Sequence, residues 1–319
     1  MTRRAKGEGR KAETERGEGS ERRSVSPSSR SAAVIGAGRL GTALARALQA
    51  CGYEVRALVS RKAAHARRAA LRAGIETLAL GAGEVERLPA AGLLFITTPD
   101  DAVEEVAGRL AALPALKSRV VLHASGALSS EVLAPLRARG LGTGSAHPLA
   151  AVSRDAAAGA ESLRRAFYCV EGDARAVRAA RRVVRDLGGR SFTIEPRDKA
   201  LYHASAVLAA GHVVALFDVA AETLRLCGLE GRRAQEVLLP LVRSAVENLS
   251  GRTPAQALTG SFARADVETV REHVRALGGL EDAYALAVYK LLGERSLKLA
   301  ERAGADPALV ETISRITRS

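Results

Sequence analysis

Two side chains four residues apart, Lys199 and His203, offer the most direct chemistry in this chain of 319 residues. On a helix that spacing puts both on one face. There a lysine and an imidazole can polarise a carbonyl or an imine and supply a proton as hydride arrives. The same spacing fits a solvated residue at a helix start followed by a histidine satisfied in a core, and both readings stand at this point. Ser125-Gly126 and His147-Pro148 each follow an apolar run of strand character, so both are expected at a sheet rim, facing substrate or serving as turn and cap residues. His123 and His212 also lie in apolar surroundings, whereas His65 and His273 lie in charged helical stretches and read as surface residues. No H-x-x-x-H or H-E-x-x-H occurs, and no carboxylate cluster accompanies the histidines, so no metal site is expected. Cys51, Cys169 and Cys227 form no C-x-x-C pair, which suits reduced thiols in a cytoplasm. Cys51 and Cys169 read as small buried hydrophobes.

What these groups would act with is indicated by Ala32 to Arg61. Ala33-Val34-Ile35 is a short apolar run fit for a buried strand. Gly36, Gly38 and Gly41, with Arg39 and Leu40 between them, give G-x-G-x-x-G at the entrance to a helix that continues from Thr42 to Ala50. Gly36 allows the tight turn, Gly38 a close backbone approach to a pyrophosphate, and Gly41 close packing of helix on strand. Free N–H groups at that helix start would face the phosphate. A second strand, Val55 to Val59, ends in Ser60-Arg61-Lys62, with no Asp or Glu between Val55 and Ile75. A carboxylate there would select NAD. A hydroxyl and two cations suit the 2′-phosphate of NADP, which arginine grips with paired charge-assisted hydrogen bonds.

The elements that must position these groups follow in order. A helix is expected over Ala63 to Ala73, a weak strand over Glu76 to Leu80, and a clear buried strand over Leu93 to Thr98. Pro99-Asp100-Asp101 would stop that strand and cap a helix from Ala102 to Leu113. Thr97, Thr98 and Pro99 should then border the nicotinamide half of a cofactor, because ligands lie at the carboxyl ends of parallel strands. Strands over Arg119 to Leu122 and Gly142 to Ala146 flank a helix from Ser129 to Arg139. Ala166 to Val170, a helix over Asp173 to Leu187, and Ser191 to Ile194 add one more strand–helix–strand unit. From Asp198 the pattern is helical throughout, over Asp198 to Cys227, Gly231 to Leu249, Asp266 to Leu277, Leu280 to Ala303 and Pro307 to Thr317. Ala204 to Phe217 is nearly all apolar but too short for a bilayer, so a buried central helix is expected and no membrane span. Residues 1–30 are charged and rich in Ser, Gly and Glu, which predicts a disordered tail without the apolar run of a secretory signal.

Composition narrows the classes further. Hydrophobic residues at 47% support real cores, and aromatics at 3% mean that Ala, Leu and Val build them. The formal charge of +13 does not imply a specific nucleic-acid partner, since basic residues are mostly Arg amid abundant Ala and Gly, and no cations interleave with aromatics. The residues therefore give an α/β fold: a Rossmann domain over residues 31–195 that binds NADP, followed by an all-α domain over residues 196–319.

The run GAGRLG, VSR, TTPDD, HASG, AHPL, DKALYHASAVLA, ENL and LTGSFARAD, in that order, resembles a bacterial family of Rossmann-like proteins with a C-terminal domain of unknown function 2520. That family is similar to pyrroline-5-carboxylate reductase and more distantly to 6-phosphogluconate and β-hydroxyacid dehydrogenases. The resemblance implies an NADP-type Rossmann domain, an all-helical C-terminal domain and a homodimer formed through those helices. β-Hydroxyacid dehydrogenases carry a catalytic lysine with an asparagine four residues later; Lys199 matches the lysine, and His203 stands at the asparagine. The surroundings of Ser125 and His147 are similar to those in prephenate dehydrogenases. The chain departs from its nearest family at Gly211-His212 (for Ser-Asn), Ser261 (for Pro) and Ala265 (for Gly). The expected activity is hydride transfer between NADPH and a small carbonyl or imine compound held between the domains near Ser125, His147, Lys199 and His203. Two alternatives are a prephenate-dehydrogenase-like oxidative decarboxylase and a catalytically silent NADP-binding sensor.

Overall fold

The structure, a computed structural model, describes residues 30–281 and 283–318. The tail expected over residues 1–30 lies, apart from Arg30, outside the described residues. The chain divides into two compact units, Met1–His203 and Ala204–Ser319.

The first unit is built on one eight-stranded sheet. In chain order it comprises β1 (Ser31–Ile35), α1 (Arg39–Ala50), β2 (Glu54–Ser60), α2 (Ala63–Ala73), β3 (Leu78–Gly81), β4 (Ala91–Ile96), α3 (Val103–Ala112), β5 (Ser118–His123), α4 (Ala134–Arg137), β6 (Gly142–Leu149), α5 (Ala156–Leu163), β7 (Phe167–Gly172), α6 (Ala174–Asp186) and β8 (Arg190–Phe192). The strand order is β3-β2-β1-β4-β5-β6-β7-β8, and all neighbours are parallel except β6 and β7. β1 is buried along its whole length because helices cover both sheet faces, which is why it reads as an apolar run rather than an alternating one. Alternate residues still separate: Ala32 and Val34 pack among residues of α1, α5 and α6, while Ala33 and Ile35 pack with α3 and α4. Reversal of order at β1 opens a crevice at the carboxyl ends of β1 and β4, the position where open α/β sheets bind ligands.

Two local expectations are corrected. The acid pair after β4 forms a 3₁₀ turn, Asp100–Ala102, and caps nothing with its side chains; α3 starts behind it at Val103. The helix expected from Ser129 to Arg139 is a 3₁₀ turn, Ser130–Leu133, followed by the single turn of α4, whose Pro135 supplies no N–H for a continuous helical ladder. α5 carries no clear periodicity because its face against α1 is made of alanine and glycine. Asp155 caps it by accepting from the Ala158 N–H at 2.8 Å.

The last turns of the first unit are the start of α7 (Lys199–Ala209). The second unit continues with α8 (Gly211–Arg225), α9 (Arg232–Leu249), α10 (Pro254–Ala257), α11 (Val267–Gly278), α12 (Tyr284–Arg302) and α13 (Pro307–Arg318). Its buried cluster is small and joins α11, α12 and α13 through Val270, Leu297, Val310 and Ile313. The apolar stretch Ala204 to Phe217 is not a buried central helix. It breaks at Ala210, and Leu208 and Val214 are 63% and 69% exposed. So small a unit holds too little apolar mass to cover these faces from within its own chain. The run Pro196–Arg225 is also, by length and composition, apolar enough to cross a membrane. Its first turn nevertheless carries Lys199, Tyr202 and His203, which pack within the first unit.

Candidate functional site

Gly36 takes φ +115°, and a Cβ there would lie 2.6 Å from the Thr97 carbonyl, so only glycine makes this turn. Thr97 ties the loop to β4: its hydroxyl donates to the Gly36 carbonyl at 2.8 Å, and its N–H donates to the Ile35 carbonyl at 2.7 Å. A Cβ on Gly41 would lie 1.8 Å from the Gly36 carbonyl oxygen, so α1 rests directly on the turn. Gly38 is different: nothing lies within 4 Å of a Cβ placed there, and it precedes α1 without any side-chain cap. The N–H groups at the helix start therefore face open space.

That space is a cavity of ≈ 780 Å³ bordered by Gly36, Gly38, Ser60, Arg61, Thr97, Thr98 and Pro99. Arg39, Leu40 and Gly41 do not border it; Leu40 turns inward against the core, and Gly41 serves packing alone. Gly41 thus takes the packing role that its place in the glycine motif predicts and bears on the cavity only through the backbone of α1. His65, Arg68 and Arg72 also border the cavity. They recur every three or four residues along one face of α2, with Arg61 just ahead of the helix, a stripe present in the sequence but masked by the overall arginine content. His65, although exposed, faces this cavity rather than open surface alone. The residues fit a phosphorylated dinucleotide: an uncapped helix start, a cationic stripe, and the buried Thr98 hydroxyl, which has no hydrogen-bond partner among the described residues.

Beyond Thr97 the rim continues through adjoining strands. Ile96 on β4 stands beside His123 on β5, which stands beside Ser145 on β6. Across the antiparallel pair, Ser145 faces Glu171 and His147 faces Cys169, so all four side chains share one sheet face. α7 lies over this face. Lys199 is 1% exposed, and its ammonium donates to the Ser125 carbonyl at 3.1 Å and to the Ser145 hydroxyl at 2.8 Å. Tyr202 Oη lies 2.6 Å from His147 Nδ1. The His147 and His203 rings meet edge to face at 5.6 Å. Both press on the backbone of Gly126, where a Cβ would lie 2.3 Å from His203 Nδ1 and 2.9 Å from His147 Nε2. The structure thus brings Ser125, His147, Lys199 and His203 together within the first unit. His212 lies in the second unit on α8, exposed.

The roles differ from those spacing suggested. The Ser125 hydroxyl serves its own turn, accepting from the Ala127 and Leu128 N–H groups at 3.1 and 3.0 Å, while its carbonyl holds Lys199. Lys199 is sealed inside rather than solvated at a helix start. Tyr202, three residues after Lys199, was not singled out from the sequence, although helical spacing places it on the same face. Gly126 owes its identity to the two imidazoles and gave no signal beyond following Ser125. Among the described residues no group of three or more His, Cys, Asp or Glu is arranged to hold a metal.

Burial governs the protonation states. Desolvation, followed by the neighbouring Lys199 charge, lowers His123 and His147 each to about 4. Desolvation also lowers Lys199, partly offset by Cys169, Glu171 and Asp100, and raises Tyr202. Tyr202 keeps its proton at neutral pH, and its hydroxyl hydrogen-bonds both His147 Nδ1 and the Cys169 thiol. His123 has a fixed tautomer: its Nδ1 accepts from the Ser125 N–H at 3.2 Å, and its Nε2 donates to the Ser129 carbonyl at 3.2 Å.

These lowered values have a consequence for stability. With native values near 4 and an unfolded value of 6.5, the unfolded chain binds more protons between those limits. Stability is therefore complete above pH 6.5 and falls as pH drops through 4, by at most about 3 kcal/mol per histidine. Thermal melts across pH 7 to 4 should show this decline, and it should shrink when His123 is replaced by Gln. A melting temperature that stays flat would mean that the imidazoles are not buried neutral.

Comparisons with known proteins agree with this architecture. A Rossmann-like domain matches residues 16–148, and a domain of unknown function, DUF2520, matches residues 166–296. No curated protein matches the chain in sequence. Among solved structures, protein TM1727 of Thermotoga maritima is similar with a TM-score of 0.66 at 23% identity, covering 85% of this chain and 99% of that one. The candidate NADP oxidoreductase BF3122 of Bacteroides fragilis gives 0.68 at 21% identity, covering 85% of this chain and 100% of the other. Pyrroline carboxylate reductase of Plasmodium falciparum, solved with NADP bound, gives 0.53 at 12% identity, with 90% and 98% covered. The chain joins a Rossmann-like domain to a DUF2520 domain, the pairing to which the glycine turn and the ordered motifs after it point.

Proposed function

We propose that this protein is an NADP(H)-dependent oxidoreductase that passes hydride between the cofactor and a small carbonyl or imine compound. One observation carries the reading: the cavity lies at the carboxyl ends of β1, β2 and β4, and the same edge of the sheet continues through His123 and Ser145, on which Lys199 packs. The similar Bacteroides and Plasmodium proteins, one a candidate NADP oxidoreductase and the other solved with NADP, support the cofactor class. When bound, the nicotinamide supplies or accepts the hydride. The uncapped start of α1 holds the pyrophosphate, and Ser60 and Arg61 hold the 2′-phosphate, aided by the cations of α2.

Reduction of a carbonyl or imine leaves charge on the heteroatom, which needs a proton. His147, hydrogen-bonded to Tyr202 through Nδ1, is placed to hydrogen-bond the heteroatom through Nε2 and stabilise its developing charge, and the proton that completes the reduction comes from solvent. His203 Nδ1 is buried against Gly126 with no hydrogen-bond partner among the described residues, so His203 packs the turn beside His147. Lys199 keeps His147 neutral by its charge and fixes the Ser125-Gly126 turn against which both rings rest.

NADPH should bind at least ten times more tightly than NADH, about 1.4 kcal/mol, on the scale of a charge-assisted contact. Arg61→Ala should remove most of that preference with little effect on NADH. Fluorescence titration measures both, and equal affinities in the unaltered protein would exclude the assignment. NADPH oxidation against a panel of keto acids and cyclic imines then separates an enzyme from a sensor.

We further propose that the second unit forms a homodimer. Leu208, Val214, Leu226, Leu241, Tyr284 and Leu291 are each more than 60% exposed, more apolar surface than monomers normally leave open. The pairing segments are Ala204 to Cys227 and Leu280 to Ala303. Light scattering at micromolar concentration should give twice the mass of 33.4 kDa, and a monomer would refute the assembly.

A further inference from the structure

α6 carries five arginines, Arg175, Arg178, Arg181, Arg182 and Arg185. Its one acidic residue, Asp186, accepts a hydrogen bond from the Tyr53 hydroxyl at 2.6 Å. With Arg119 of β5 these arginines border an open cavity of ≈ 840 Å³. The cavity lies over Gly92 and Leu93 at the amino end of β4, and the dinucleotide cavity lies beyond its carboxyl end. No carboxylate and no aromatic ring borders it.

The arrangement differs from the other arginine-bearing helices. α3, α8, α9, α11 and α13 each pair an arginine with a glutamate three or four residues away. Arg178, Arg181 and Arg185 are exposed and form no ion pair among the described residues. Within α6, Arg178 meets Arg181 and Arg182 at helical spacing, and Arg181 meets Arg185, so like charges repel along one face. Arg175 adds a cation in the first turn, where the helix dipole disfavours it. α2 also lacks an acid, and it turns its cations to the dinucleotide cavity. Arg178, Arg181 and Arg185, with no ion pair among the described residues, call for an anion in the same way.

The lining identifies the anion. Guanidinium groups match phosphate oxygens in pairs, and several together match several phosphates. Binding of single-stranded nucleic acid relies on aromatic platforms for the bases, which this cavity lacks. We propose that the α6 face of the first unit binds a small oligophosphate, a linear chain of several phosphate groups. The volume falls within the range of small-molecule sites.

The test is calorimetric titration of the full chain with inorganic tripolyphosphate in the presence of saturating NADPH, which fills the dinucleotide cavity that the cations of α2 border. One-to-one binding is expected, weakened at least tenfold in Arg178→Glu/Arg181→Glu and less in Arg178→Gln/Arg181→Gln. Arg68→Glu/Arg72→Glu on α2 should leave it unchanged, with thermal melts confirming that every variant folds. Absence of binding would overturn the proposal. So would loss through the α2 pair instead of the α6 pair, or binding of a short single-stranded oligonucleotide where tripolyphosphate fails.

Discussion

Gly38→Ala is expected to leave the fold intact and abolish dinucleotide binding, whereas Gly41→Ala is expected to damage both. At Gly38 a Cβ meets nothing within 4 Å, and φ is −75°, so the native backbone accepts alanine without strain. The new methyl would occupy the space where a pyrophosphate must approach the backbone, and affinity should fall by a hundredfold or more, about 2.7 kcal/mol. At Gly41 the methyl would lie 1.8 Å from the Gly36 carbonyl oxygen and 2.4 Å from Thr97 Oγ1. Backbone cannot rotate away as a side chain does, so α1 must lift off the turn. Overpacking of this kind costs about 1–3 kcal/mol or more, and the displaced helix start would no longer aim its N–H groups into the cavity. Thermal melts and NADPH titration of both variants separate the cases. Wild-type binding by Gly38→Ala would mean that no phosphate lies at the start of α1.

Lys199→Met is expected to cut turnover about a hundredfold, the scale of impaired transition-state charge stabilisation, with NADPH affinity nearly unchanged. Methionine keeps most of the buried volume and removes the two hydrogen bonds to the Ser125 carbonyl and the Ser145 hydroxyl. A second readout distinguishes this role from packing alone. Lys199 is one of the charges that hold His147 down at about 4, so its removal should raise the His147 value towards 6.5, measurable by NMR titration. His147→Ala should lower turnover by a similar factor, and the double variant by less than the product, because residues acting as a unit are not additive. Full turnover in Lys199→Met would leave the ammonium without a part in the reaction. An unmoved His147 value would show that its charge does not reach the imidazole.

Much of this was legible before any tertiary contact was known. The apolar run Ala33 to Ile35, the three glycines and the following helix are local features, and their conformations depend on backbone sterics and capping within a few residues. α2 was expected over Ala63 to Ala73 and is found there, because the Gly74 that ends it takes φ +65°. The alternation of strands and helices implied the parallel sheet, and the departure from that pattern after Asp198 marked the helical region. Lys199, His147, Ser125 and His203 were all named from residue type and spacing.

Where each of these residues sits, and what it touches, was decided only by the chain's return on itself. Whether Lys199 is solvated or sealed depends on β5 and β6 arriving beneath α7, more than fifty residues back along the chain. No spacing rule links Tyr202 to His147, yet the fold brings Tyr202 Oη within 2.6 Å of His147 Nδ1. The arginines of α2 and α6 look alike in sequence and differ only in which end of the sheet they face. The apolar stretch from Ala204 to Phe217 shows the same limit from the other side. Hydrophobicity fixes that a surface must be covered, but its position within the fold decides whether the chain's own core covers it, and here that core does not.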